Sequence, residues 1–201
     1  MSEFLANDKL LKDINHTFVA LIAKVADPTQ THHYRLISLC STVYKVIAKI
    51  LVNMLRPLFD RLISPYHSAF VPGRSIHDNI LLTHEIVHKF RNLKTKTPWV
   101  ALKLDMKKAY DKMEWDFINK CLQELGSHQK WIAWINECIP SVTYLIIVND
   151  APSGFIKQTR GFRQGNPLSS YLFILCMEVL SHRLNIEAKP TKSGIGIKIS
   201  P

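Results

Sequence analysis

The sequence predicts an α+β fold, and three observations carry the prediction. Segments with apolar residues at every second position alternate with segments of three-and-four spacing. Hydrophobic residues make up 47% of the 201, and both charge signs are present. No internal repeat or low-complexity tract breaks the pattern. A chain of this length and content can bury a core, as one substantial domain or two small ones. Lys and Arg number 26 against 16 Asp and Glu, a formal net charge of +10. Such a balance favours a polyanionic partner, either nucleic acid or an anionic membrane surface, and charge alone does not choose between them.

No apolar run reaches the ~18 residues of a membrane-spanning helix, and the N-terminal segment MSEFLANDKLLKDIN lacks the apolar stretch of a secretory signal. The expectation is an intracellular protein with no membrane partner. Cys40, Cys121, Cys138 and Cys176 are scattered among apolar neighbours without a close pair, so buried free thiols are expected rather than a zinc site or disulfide framework. His32 and His33 have no Cys or carboxylate at ligand spacing.

The elements follow in order. Residues Thr17 to Val25 are β-rich and end beside Lys24 and the turn-forming Asp27-Pro28, which predicts a strand. From Ser41, apolar residues fall at Tyr44, Ile47, Ala48, Leu51, Leu55, Leu58, Phe59 and Leu62. That stripe predicts a helix with Ser41 as N-cap and a kink or division at Pro57. Beyond the loop SPYHSAFVPGRS, a second helix carries Ile76, Ile80, Leu81, His84 and Val87 on one side. It runs into a basic stretch from Lys89 to Lys96 that reads as a solvated loop.

Val100, Leu102, Leu104 and Met106 alternate with Ala101, Lys103 and Asp105, the pattern of a strand with one face carrying Asp105. Trp115 to Leu125 predicts a helix stopped by Gly126, and Trp131 to Ile139 a further helix. The run Val142 to Val148, a turn over Asn149 to Gly154 and the segment Phe155 to Thr159 read as a hairpin. Asn166-Pro167 is an N-cap and first-turn pair that launches a long apolar helix through about Leu184. The alternating Ile195, Ile197 and Ile199 predict a last strand.

Chemistry is most strongly suggested in LKLDMKKAYDKMEWDF, where a strand carboxylate beside lysines could hold a divalent metal next to phosphates. By spacing alone an Asp placed like Asp105 is more often a solvated strand-end residue or a cap. Arg163-Gln164-Gly165 is similar: Arg can grip a phosphate, Gln can bond a sugar or base and Gly permits close backbone approach, yet a plain loop has the same composition.

These segments also occur together and in order. INHTFVALIAKV with YRLISLCSTVYKVIAKILVNML, ISPYHSAFVPGRSIHDNIL, WVALKLDMKKAYDKMEW, GFRQGNPLSSYLFILCMEVLS and SGIGIKIS resemble successive blocks of the reverse transcriptases of non-LTR retrotransposons, especially those of plant genomes. The resemblance runs from about Ile14 to Ser200. It implies a right-hand polymerase fold, with fingers over residues 1–96, part of the palm over 97–201, and no thumb. The implied reaction is RNA-directed DNA synthesis with Mg²⁺ and dNTP on an RNA template with a DNA primer.

Residue by residue, Asp105 matches the first catalytic aspartate, with the carbonyl of a neighbour such as Met106 as a further metal ligand. Tyr110 matches the aromatic that excludes a 2′-hydroxyl, although an aromatic packed on the palm helix would look the same. Lys24 and Arg35 resemble the pair that clasps the triphosphate, Arg74 the arginine near template and nucleotide, and Gln164 with Gly165 the pair at the nascent base pair. Arg163 would lie beside the template backbone.

Leu36, Ser170, His67 and Asn166 depart from the family's usual Pro, Pro, Gln and Asp. Asn166 keeps the capping function while losing a charge. The family also places an aromatic-Ala-Asp-Asp hairpin soon after the strand matched by IGIKIS, and this sequence holds no adjacent Asp pair. A fragment inactive by itself is therefore expected, without an endonuclease or zinc-binding region. The alternative is a non-catalytic nucleic-acid-binding remnant.

Overall fold

A computed structural model describes residues 2–92, 103–148 and 151–187. The described chain is mixed α/β and divides into two compact units, Met1–Pro57 with Lys108–Phe173 and Leu58–Lys107 with Ile174–Pro201.

The first unit is built on a four-stranded sheet in the order β2-β1-β3-β4. Strand β1 (His16–Ala23) pairs antiparallel with β2 (Tyr34–Cys40) and parallel with β3 (Thr143–Val148), which pairs antiparallel with β4 (Ala151–Lys157). The expected β1 and the β3–β4 hairpin are present. However, β4 begins at Ala151, inside the segment expected to be turn, because Gly154 is accommodated as a bulge: Leu145 faces Phe155, Ile146 faces Ser153, and Gly154 sits between them at φ +63. Strand β2 carried no signal of its own. Its two faces, Arg35-Ile37-Leu39 and Leu36-Ser38-Cys40, are both partly apolar, so no period of two stands out until β1 supplies the register.

One sheet face is buried through Thr17, Val19, Ser38, Cys40 and Tyr144. Helix α1 (Ser2–Asn7) buries Phe4, and the Trp134 indole N–H donates to Asp8 Oδ1 at 2.7 Å, tying the N-terminus to this unit. Helix α2 (Thr42–Leu55) starts where expected, with Ser41 Oγ accepting from the Tyr44 N–H at 3.2 Å, and buries Tyr44, Ile47, Ala48, Leu51, Val52 and Leu55. A 3-10 turn at Arg56–Leu58 surrounds Pro57, and the short α3 (Phe59–Leu62) follows, so the proline divides the helix as predicted.

Past the short α5 (Ala109–Lys112), helix α6 (Trp115–Glu124) ends in a Schellman arrangement. The N–H groups of Gly126 and Ser127 donate to the carbonyls of Gln123 and Leu122, with Gly126 at φ +71. Helix α7 (Gln129–Cys138) buries Ile132, Ile135 and Cys138. All four cysteines are buried free thiols.

In the second unit, α4 (Ile76–Asn92) extends through Lys89 and Arg91, so the start of the basic stretch is helix rather than loop; residues 93–96 lie outside the described residues. Positions three and four apart stay compatible with helix even when charged, which is why the apolar stripe underestimates its length. Lys103–Met106 have no regular secondary structure, correcting the expected strand there; Val100 to Leu102 lie outside the described residues, as does SGIGIKIS. Alternation creates two faces, but a strand needs a partner's hydrogen bonds. Among the described residues none flanks this segment, and Leu104 is 59% exposed. Helix α8 (Pro167–Glu187) begins at the predicted Asn166 cap, whose Oδ1 accepts from the Leu168 N–H at 3.2 Å; its first turns belong to the first unit and the rest to the second.

Candidate functional site

Strand register brings Lys24 and Arg35 together. Arg35 faces Ile22 across the β1–β2 ladder, and one further backbone bond, from the Lys24 N–H to the His33 carbonyl at 2.7 Å, continues the pairing beyond Ala23. Lys24 lies two residues from Ile22, so it shares the sheet face of Arg35 as its diagonal neighbour. Both side chains are exposed, and the Lys24 ammonium donates to the His32 carbonyl at 3.0 Å.

The GFRQGN loop is pinned to residues 110–115 by hydrogen bonds. Gly161 at φ +90 donates its N–H to the Met113 carbonyl at 2.6 Å, and the Phe162 N–H donates to the Tyr110 carbonyl at 2.9 Å. The Trp115 indole N–H closes the same contact on the Gly161 carbonyl at 2.9 Å. A Cβ on Gly161 would lie 2.8 Å from the Asp111 carbonyl oxygen, so this position requires glycine for space as well as for φ. Sequence reading passed over Gly161; its signal was the first glycine of a block already singled out for its second.

Arg163 follows and turns inward. It is 4% exposed, and its guanidinium donates to Asn15 Oδ1, to the Cys138 carbonyl and to Thr17 Oγ1, with a longer contact to Cys40 Sγ. The ring of Tyr44 lies 4.0 Å from its central carbon. None of these partners is a carboxylate. The charge is held by neutral acceptors, by the electron-rich ring face and by the negative C-terminal end of α7, where Cys138 is the last residue. The expected position beside a template backbone is thus occupied by a cation whose donors are spent inside the unit.

Burial raises three acids around it. Loss of water is the largest cause for each, partly offset by the Arg163 charge: the Tyr44 hydroxyl is pushed well above its ordinary range, and the Cys138 thiol and the Tyr144 hydroxyl are each pushed up to about 12.

From that anchor the next residues are presented outward. The Gln164 carbonyl accepts from the Ser38 N–H on the free edge of β2 at 3.0 Å, and its side-chain amide donates to Asp111 Oδ1 at 3.2 Å. Gly165, exposed at φ +96, leaves room for 3.5 Å between a hypothetical Cβ and the Ser38 carbonyl. Asn166 donates to the Tyr44 hydroxyl at 3.0 Å. Tyr110 is half-buried, stacked on Phe173 at 4.6 Å between centroids and edge-on to Phe162 at 6.0 Å.

The remaining predicted residues belong to the second unit. Arg74 donates to the carbonyls of Ser64, His67 and Ile63, and its guanidinium lies 3.9 Å from Asp60, so it organises the loop 63–75. His67, in the position of the family's Gln, bonds Ser181 at 2.8 Å and lies 3.3 Å from Glu178. Asp105 and Met106 are exposed. Among the described residues no three His, Cys, Asp or Glu side chains gather into a metal-binding group, and no helix is long and apolar enough to cross a membrane.

Comparison with known proteins supplies the lineage. The family profile "Reverse transcriptase (RNA-dependent DNA polymerase)" matches residues 22–198. A Transposon TX1 protein of 149 kDa from Xenopus laevis is 29% identical over 178 residues, 89% of this chain and 14% of that protein. The Pol polyprotein of the type-1 retrotransposable element R2 from Nasonia vitripennis is 29% identical over 154 residues, 75% of this chain and 14% of its own length. A mitochondrial protein of Arabidopsis thaliana, AtMg01250, is 65% identical over 37 residues, 18% of this chain and 30% of that protein. The chain thus spans about a seventh of the length of the TX1 and R2 relatives. On this match the chain belongs to the reverse transcriptase (RNA-dependent DNA polymerase) family, as a domain homologous to the Pol proteins of non-LTR retrotransposons.

Proposed function

We propose that the chain supplies the fingers, over about residues 1–96, and the first part of the palm, from about residue 97, of a right-hand polymerase that copies a primed RNA template into DNA. The observation that carries this reading is that Lys24, next after the end of β1, and Arg35, near the start of its partner β2, are both exposed. A compact ammonium and a planar guanidinium beside each other suit the oxygens of a dNTP triphosphate. Gln164 and Gly165 serve the nascent base pair, Tyr110 the discrimination of the sugar, and Arg74 the order of a loop near template and nucleotide. Arg163 acts as a positioning residue that holds Gln164 from inside the unit.

The family's chemistry calls for divalent metal, and Asp105 with the Met106 carbonyl are the oxygens assigned to it. One carboxylate and one carbonyl fall short of the roughly six oxygens that Mg²⁺ takes, and no metal-binding cluster completes them among the described residues. These residues alone do not fit a two-metal centre. Asp105 is proposed as one contributor to such a centre, and the chain by itself as incapable of the reaction.

Primer extension tests this. The 201-residue chain is expected to extend no primer. Joined to the palm hairpin and thumb of an intact relative it is expected to extend one on RNA, with Asp105→Ala abolishing extension and Tyr110→Ala admitting ribonucleotides. Extension by the unextended chain, or by the Asp105→Ala hybrid, overturns the assignment. A hybrid that binds template without ever extending supports the non-catalytic nucleic-acid-binding reading instead.

A further inference from the structure

Helix α4 contains a motif to which the polymerase reading gives no role. His84-Glu85-Ile86-Val87-His88 has the pattern H-E-x-x-H, and all five residues lie within the one helix Ile76–Asn92. A separation of four residues puts two side chains one turn apart on the same helix face, with Cβ atoms ~5–6 Å apart. Two imidazoles so placed can turn their nitrogens onto one ion at Zn–N distances of ~2.0–2.1 Å.

Three observations favour a ligand over a merely solvated pair. His84, Glu85, His88 and Lys89 border one open hollow on the helix surface, so both rings reach the same space. All four are exposed, so an ion enters without disturbing the core. The His88 ring is also steadied, because its Nε2 lies 3.4 Å from the side-chain amide of Asn92 one turn further on, which leaves Nδ1 for the ion. An outer contact of that kind sets a ligand's orientation and which nitrogen is available. Glu85 stands four residues before Lys89 and offsets its charge at the hollow.

We propose that His84 and His88 form a two-imidazole site for Zn²⁺ or a similar late first-row ion, which clips one turn in the C-terminal half of α4. Imidazole selects such ions over Mg²⁺, which takes oxygen ligands, so the site differs in ion preference from the oxygens of Asp105 and Met106. No described residue of α4 is buried, so packing contributes little to this helix. A chelate across residues 84–88 holds them in helical geometry, and its binding free energy adds to the stability of the helix. A hydrolytic centre is not proposed, because it needs three protein ligands. Among the described residues no third His, Cys, Asp or Glu completes a group, Glu85 included.

Isothermal titration of the full chain with ZnCl₂ in reducing, non-chelating buffer tests the site, with circular dichroism melting alongside. One ion is expected to bind, to resist an excess of Mg²⁺ and to preserve helical signal to higher temperature. His84→Gln and His88→Gln are each expected to weaken binding at least about tenfold. Ile86→His combined with His88→Ala keeps the number of histidines but places the pair two residues apart, on different faces. It is expected to bind as weakly as His88→Gln. His32→Gln combined with His33→Gln is expected to bind as wild type does, although those two rings lie 4.3 Å apart. Melting without metal checks that each variant stays folded, which the exposure of these side chains favours.

No binding of Zn²⁺ by wild type overturns the proposal, as does displacement of the ion by Mg²⁺. Wild-type affinity in His84→Gln, in His88→Gln or in the pair moved to two-residue spacing overturns it too. Loss confined to the variant at His32 and His33 assigns the ion to that pair and refutes the site on α4. Each of these outcomes leaves the polymerase reading in place.

Discussion

Helices α2 and α4 carry the same signature in sequence and opposite burial in structure. Each has apolar residues at three-and-four spacing, and each was expected to be a helix with one oily side. In the first unit that side of α2 is buried from Tyr44 to Leu55, and the Tyr44 hydroxyl reaches the Cys138 carbonyl at 3.3 Å. In the second unit no described residue of α4 is buried; Leu81 is 64% exposed and Ile76 and Ile80 are exposed as well. Periodicity specifies that a face exists and which residues form it. Whether the face contributes the ~1.5–3 kcal/mol per large side chain that burial brings depends on what covers it.

The polar contacts differ in the same sense. The first unit is closed by bonds between residues far apart in sequence, converging on Arg163 from positions 15, 17 and 138. Those of the second are more local, as in Arg74 gathering the carbonyls of residues 63, 64 and 67 and Asn79 reaching Tyr66 and Ser68; its exceptions join Ser64 and His67 to α8.

If this contrast is right, the most damaging single change lies at Arg163. Arg163→Met leaves Asn15 Oδ1 buried without its donor and takes one of two donors from the Cys138 carbonyl, which keeps the Tyr44 hydroxyl, an expected loss of roughly 2–3 kcal/mol by urea denaturation. A loss below about 1 kcal/mol would mean that the hub is dispensable.

Alkaline pH is the next lever. The Cys138 thiol is raised from 9.0 to about 12 and the Tyr144 hydroxyl from 10.0 to about 12. Below about pH 9 both groups keep their protons whether folded or not. Between there and about 12 the unfolded chain gives them up while the folded chain holds them, so the unfolded state binds fewer protons and stability falls as pH rises. The expected decline is on the order of a few kcal/mol across that window, read from denaturation midpoints in reducing buffer. Cys138→Ala should make it shallower; an identical slope would remove the thiol from the account.

Gly161→Ala comes third. A φ of +90 and a carbonyl 2.8 Å from the added Cβ predict a cost of about 1–3 kcal/mol in thermal or urea unfolding. The smallest effect belongs to the other unit: Leu81→Gln on α4 is expected to change stability by no more than about 0.5 kcal/mol. A cost above about 1 kcal/mol would erase the contrast between the two helices, because an exposed leucine has little burial to lose.

The candidate residues were legible in the sequence for uneven reasons, and their roles are proposals. Lys24, Arg35, Gln164 and Gly165 were identified through the order of their blocks, and the β1–β2 register then put the first two on one face. Nothing local distinguishes an arginine that will grip a phosphate from one that will be swallowed by the core. Arg163 turned inward because Asn15, Thr17, Cys138 and Tyr44, dispersed along the chain, surround it in the fold.

The sequence by itself determined the starts and stops whose partners are a few residues away. Ser41 caps α2 through Tyr44, Asn166 caps α8 through Leu168, Gly126 ends α6, and the β3–β4 segments find each other across a short connection. Tertiary structure decided what needs a distant partner. Strand β2 exists through β1, and Gly161 is obligatory because Asp111 approaches it. A cap or a turn closes within one or two helical turns of chain, so its residues announce it. A ladder, a buried charge or a close backbone approach depends on residues tens to more than a hundred positions away, and the local pattern holds no record of them.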